Sequence, residues 1–160
     1  MRSIGWLFGL ALVAHLGPAA AADLERGKYL ATIMDCGGCH TPGYLMGKPD
    51  MSRLFAGSEI GFFIPEQGYF YPPNLTSDEE TGLGKWTEAD IIKAVTKGER
   101  PDGRILAPIM PYHNYAALTE ADAQALAAFI KSLKPIKHQA PRLTGPTEKA
   151  PSFYMTVVKP

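Results

Sequence analysis

The sequence predicts a mostly α domain: three principal helices, with a long irregular loop between the first and the second. Three observations carry this. Apolar residues recur at helical spacing around residues 24–34, 88–97 and 120–133. Residues 41–86 hold 7 Gly and 5 Pro with no sustained period of either kind. The last 26 residues, from Pro135 onward, hold 5 Pro, a composition that favours extended chain.

The first segment precedes the domain. Arg2 gives a positive start, residues 4–16 are an apolar run without acids, and Pro18 leads into four alanines that end at Ala22. This is the pattern of a secretory signal peptide, with cleavage between Ala22 and Asp23. It predicts a periplasmic protein of 138 residues, one ordinary domain. Residues 1–22 carry one base and no acid, so the mature chain has 15 Lys+Arg against 16 Asp+Glu, a formal charge of −1. Nucleic-acid binding is excluded, because neutralising phosphates needs a surplus of Lys and Arg. No second apolar run approaches the roughly 20 residues that span a bilayer, so no transmembrane anchor is expected after cleavage.

The first helix is expected over residues 23–34, with Leu24, Leu30, Ile33 and Met34 on one face, Asp23 as N-cap and Glu25 in the first turn. Gly27 weakens such a helix by up to about 1 kcal/mol relative to Ala. Either another helix approaches closely there, or the glycine is a tolerated surface residue. Thr87 opens the second helix with Asp90 in capping-box position, Ile91, Ile92 and Val95 make its apolar face, and Gly98 stops it. Pro108 and Pro111 exclude a regular helix through residues 105–111. The last helix is capped by Thr119, with Asp122 closing the box, a stripe of Leu126, Phe129, Ile130 and Leu133, and Pro135 as its stop. The 135–160 tail is expected to be extended, disordered or a docking strap.

The long loop carries seven Phe and Tyr residues: Tyr44, Phe55, Phe62, Phe63, Tyr69, Phe70 and Tyr71. A loop of this length is unusual inside a compact domain. It becomes reasonable when it wraps something large and apolar that stands in for protein core. A short hairpin over 60–64 and 69–71, turning through Gln67-Gly68, is the one regular element expected in it.

Chemistry concentrates in Cys36-Gly37-Gly38-Cys39-His40, the C-x-x-C-H signature of c-type haem attachment. Each thiol adds to one haem vinyl group, and the histidine that follows is held under the iron. Gly37 and Gly38 leave the backbone free to follow the ring edge. A structural zinc site needs four ligands, and His113 and His138 fit no common finger spacing with this motif. A thiol–disulfide oxidoreductase using Cys36 and Cys39 would need a βαβ context that the sequence lacks. Thioether sulfur is a common partner of His on cytochrome iron. Of Met34, Met46, Met51, Met110 and Met155, Met34 reads as helix packing, Met46 and Met51 require an immediate reversal of the chain, and Met155 lies in the tail. Met110 sits between two prolines just ahead of the last helix and is the preferred sixth ligand, with His113 its rival.

Four further stretches complete the pattern: Pro73-Asn74-Leu75-Thr76-Ser77-Asp78, Thr81-Gly82-Leu83-Gly84-Lys85-Trp86, Gly98-Glu99-Arg100-Pro101-Asp102-Gly103-Arg104 and Met110-Pro111-Tyr112. With the haem motif they make residues 23–134 resemble a class I cytochrome c. The likeness is to the cytochrome c subunits and domains of periplasmic dehydrogenases that oxidise alcohols, aldehydes and sugar acids. The resemblance implies one covalent haem c with its iron held by His40 and Met110. It also implies Asn74 and Trp86 near the haem edge and propionates, and the first helix packed across the last. It implies a one-electron carrier and not an enzyme, taking electrons from a dehydrogenase and passing them to a cytochrome or terminal oxidase of the respiratory chain. The alternatives are a haem enzyme or gas sensor with a displaceable Met ligand, and the thiol oxidoreductase. Relatives often carry two or three haem motifs per chain, and this chain has one.

Overall fold

The computed structural model describes residues 18–159. Residues 1–17, most of the expected signal peptide, lie outside the described residues. Among the described residues no helix is long and apolar enough to cross a membrane.

Helix α1 spans Pro18–Ile33. In the full chain it begins ahead of Asp23, so there Asp23 is not an N-cap and Glu25 is not in the first turn; cleavage between Ala22 and Asp23 would put both back at the helix start. The physical reason is propensity: the four alanines before Asp23 are strong helix formers, and proline is tolerated at a first helical position. The face it buries also differs from expectation. Gly27, Leu30 and Ala31 are buried and Met34 half-buried, whereas Ile33 is 59% exposed. Helix α5, Glu120–Ser132, lies against this face and contributes Leu126, Ala127 and Ile130 to the core.

The two helices meet at Gly27. A Cβ on Gly27 would sit 2.6 Å from Cβ of Phe129 and 2.7 Å from the carbonyl carbon of Ala125, and closer still to the Ala125 oxygen. The close-approach reading of Gly27 is therefore the right one. Arg26 reinforces the crossing through its Nε, which donates to Asp122 at 2.8 Å. That bond qualifies the expected α5 capping box. Thr119 Oγ1 accepts from the Asp122 amide at 3.1 Å, but the Asp122 carboxylate is turned toward Arg26.

Helix α3, Glu88–Lys97, has the full box: Thr87 Oγ1 accepts from the Asp90 amide, the Asp90 carboxylate accepts from the Thr87 amide, and Gly98 closes the helix at φ 70°. It packs Ile91 and Val95 into the same core. Two short helices complete the set: α2, Cys36–His40, directly after α1, and α4, Tyr112–Tyr115, directly after Pro111.

The long loop contains the expected hairpin, β1 Ile60–Ile64 with antiparallel β2 Gly68–Phe70, and Gly68 falls inside the second strand. The tail adds what the sequence did not announce. Strand β3, Phe153–Met155, pairs parallel to β1, giving the order β2-β1-β3. Before it, Thr144 bridges Tyr69 on β2, with the Tyr69 amide donating to the Thr144 carbonyl at 2.9 Å. Period-2 patterning cannot reveal a three-residue edge strand whose side chains are all exposed.

Replacing Gly27 with Ala should lower stability, because its Cβ must force α1 away from α5. Overpacking of this kind costs about 1–3 kcal/mol, which outweighs the helix-propensity gain of up to about 1 kcal/mol. Urea unfolding of the holoprotein checks this; an unchanged or raised midpoint would mean the helices separate freely.

Candidate haem site

The helices and the long loop enclose a cavity of about 420 Å³, within the range of cofactor pockets. Its walls are mostly apolar, with Leu75, Leu83, Ile91, Val95, Leu106 and Ile130 among them. Cys36, Cys39, His40, Met110, Asn74 and Trp86 all line it. Residues separated by up to 74 positions thus converge on one space.

The attachment segment owes its position to α1. Met34 closes the last turn through its amide bond to Leu30, Asp35 takes the left-handed conformation at φ 53°, and α2 starts at Cys36. Tyr115 of α4 ties down the junction by donating to the Met34 carbonyl at 2.9 Å. His40 is 7% exposed, and its Nδ1 donates to the Pro73 carbonyl at 2.7 Å. A ring that donates from Nδ1 keeps a lone pair on Nε2, which is the form a metal needs. Burial holds the imidazole below its usual pKa, partly opposed by the Pro73 bond, so the ring stays neutral. Burial also pushes the Cys36 thiol up to about 11, and raises that of Cys39. Both sulfurs are therefore protonated at neutral pH, unlike the low-pKa thiolate of a dithiol oxidoreductase.

The glycines of the motif have different duties. A Cβ on Gly37 would make ordinary contact with Leu54 at 3.4 Å, whereas one on Gly38 would run into the Asp35 carboxylate. Neither has a positive φ. The Asp35 carboxylate at Gly38 is the tip of an exposed side chain and can swing away.

The methionines separate clearly. Met46 and Met51 are 69% and 61% exposed and Met155 is 50% exposed, and none of the three reaches the cavity. Met34 lines it but packs against the hydrophobic core. Met110 lines it without being a core partner, held in a turn by the bond from its amide to the Ala107 carbonyl at 2.9 Å. His113 is exposed, stacked on Tyr112 at 4.2 Å between centroids, and outside the cavity. His138 is bonded through Nδ1 to the Ala56 carbonyl. Among the described residues no group of three or more His, Cys, Asp and Glu side chains is arranged to hold a metal ion. Cys36, Cys39, His113 and His138 do not assemble.

The sequence reasoning missed Arg100 and Arg104 as site residues. Both line the cavity, brought together by the bond from the Arg100 amide to the Arg104 carbonyl across the Pro101-Asp102-Gly103 turn. The guanidinium of Arg100 lies 4.9 Å from the centre of the Trp86 ring. Burial, and then the neighbouring charge of Arg104, depress its pKa, opposed by Asp102, whose carboxylate lies 3.5 Å from its Nε. Their four-residue spacing across a turn was the available signal.

An apolar slot with two thiols, one buried neutral imidazole, one thioether and two guanidinium groups fits an iron porphyrin carrying two carboxylates. The cytochrome c family model matches residues 24–134. The chain belongs to the cytochrome c family. A cytochrome c holds haem c covalently and transfers electrons. Among its relatives, the cytochrome c subunit of alcohol dehydrogenase (quinone) of Gluconobacter oxydans is 38% identical over 136 residues, covering 83% of this chain and 27% of the relative. The fructose dehydrogenase cytochrome subunit of Gluconobacter japonicus is 36% identical over 132 residues, covering 81% and 26%. The gluconate 2-dehydrogenase cytochrome c subunit of Pantoea cypripedii is 36% identical over 132 residues, covering 81% and 28%. This cytochrome c thus spans little more than a quarter of the length of these relatives.

The Asp35–Gly38 contact makes a testable unit. Only the tip of an exposed, flexible side chain stands in the way, so Gly38→Ala should leave the yield of holoprotein, measured as haem absorbance per protein, unchanged, as should Gly37→Ala. A marked loss from Gly38→Ala alone would show that the Asp35 carboxylate is fixed in place.

Proposed function

We propose that this cytochrome c is a periplasmic single-haem carrier, accepting electrons from a dehydrogenase and passing them to a cytochrome or terminal oxidase of the respiratory chain. The observation that carries the reading is His40: buried, neutral, oriented by Pro73, and in one cavity with Cys36, Cys39 and Met110. When bound, haem supplies a one-electron iron couple. Cys36 and Cys39 would tether it, His40 Nε2 and the Met110 sulfur would hold the iron, and Arg100 and Arg104 would pair with its carboxylates. The apolar walls exclude water, which favours the less charged ferrous state. A His and a Met on the iron together would leave it no open site for substrate, as a carrier needs. The dehydrogenase partner is supported by the three relatives, each named as a cytochrome subunit of a dehydrogenase. The export signal supports the compartment. The near-zero formal charge offers little long-range steering, so docking rests on local contacts such as Ile109, which is 49% exposed and lines the cavity.

Met110→Ala tests the ligand set. It should remove the weak long-wavelength sulfur-to-ferric-iron band, lower the midpoint potential and let cyanide or carbon monoxide bind quickly, because the sulfur that favours ferrous iron is gone. Met46→Ala and Met51→Ala should keep the band. Survival of the band in Met110→Ala would overturn the assignment.

A further inference from the structure

The family match ends at residue 134, yet the cavity wall does not. Ala140, Pro141 and Leu143 of the tail line the same space as Phe62, Phe70 and Tyr71 of the loop. Leu143 is 41% exposed although it faces this apolar space.

This stretch of tail is fastened at several points, and the buried Asn74 is the hub. Its amide nitrogen donates to the carbonyl of Ile136 at 2.7 Å and that of His138 at 3.3 Å, and to Thr81 Oγ1 at 3.1 Å. Its oxygen accepts from the amide and hydroxyl of Thr76. In return the Ile136 amide donates to Thr76 Oγ1 and the His138 amide to Thr81 Oγ1, both at 3.1 Å. The His138 ring bonds the Ala56 carbonyl at 2.7 Å, and Thr144 pairs with Tyr69. Of its apolar side chains only Ala140 is buried, so the segment is positioned chiefly by this polar network.

We propose that residues 136–144 complete the haem-binding site: Ala140, Pro141 and Leu143 contact the cofactor, and Asn74 is the positioning residue that keeps them there. Asn74 then acts on the haem edge through the tail, with its own polar atoms turned to Ile136, His138, Thr76 and Thr81. The inference rests on the haem reading above. Its consequence is that the tail limits how much of the haem edge meets water, and so raises the potential.

The test uses the full-length holoprotein with two readouts, midpoint potential and hydrogen exchange of the Ile136 and His138 amides. Asn74→Ala should speed exchange of both amides at least tenfold and lower the potential. Leu143→Asp, at a half-exposed position that should not impair folding, should lower the potential while leaving exchange slow. Lys149→Ala, at an exposed position beyond this segment, should change neither. If Leu143→Asp keeps the parental potential, or if Asn74→Ala leaves exchange slow, the tail is not part of the site. A parent protein with no covalent haem band would instead overturn the haem reading itself.

Discussion

The crossing of α1 and α5 at Gly27 is the contact on which the rest of the molecule depends. It brings helix backbone within van der Waals reach of helix backbone, a distance only a residue without a Cβ allows. Everything downstream inherits its position. α1 runs straight into Asp35 and the attachment segment, so fixing α1 against α5 fixes where Cys36, Cys39 and His40 stand. The start of α5 is held by Arg26 from the α1 side, and the segment ahead of α5 carries Tyr115, whose hydroxyl seizes the Met34 carbonyl. A separation of the two helices would therefore displace the attachment segment and α4, the helix that follows Met110-Pro111.

The core built on this crossing is small. Among the described residues nine buried apolar side chains make up the cluster, and four of them, Leu83, Ile91, Val95 and Ile130, also face the cavity. Apolar walls packed on a haem would gain both burial and dispersion, which so small a core supplies only in part. Covalent attachment suits a site whose own residues do not close over themselves. Long-range assembly of the pocket follows the same logic: each element needs only to offer one apolar edge to the same flat object.

Much of this was legible in the sequence, and what was legible had local causes. Thr87, Asp90 and Gly98 mark α3 because capping depends on three or four neighbouring residues. The haem motif is a spacing rule, and the proline clamp around Met110 is a backbone rule. The misreadings were where distance decides. Ile33 fits the helical stripe by spacing but points away, because Gly27, Leu30 and Ala31 set the contact line with α5. Asp122 fits a capping box but faces a cation almost a hundred residues away. The spacing of Arg100 and Arg104 across a turn brings them together, but only the fold places them on the cavity beside Trp86. The pairing of β3 with β1 had no periodic signal at all.

The pocket consists of two halves held by different physics. The helical half is held by apolar packing, which tolerates adjustment and draws its strength from area. The loop half is rich in Gly and Pro and cannot do this. Its backbone groups must find partners wherever it passes beneath the surface, and it meets that demand through side chains: Thr41 Oγ1 to the Phe55 amide, Asn74 to Thr76 and Thr81, and Asp78 to Thr81. A polar network of this kind adds little net stability per bond, about 1 kcal/mol, but leaving one member unpaired costs about 1–3 kcal/mol. The loop half is consequently specified more sharply than it is stabilised, since a shifted geometry would break several of these bonds at once. That suits a redox site, in which the protein must keep the same walls around two charge states of the iron, and in which reorganisation of those walls would slow every electron it carries.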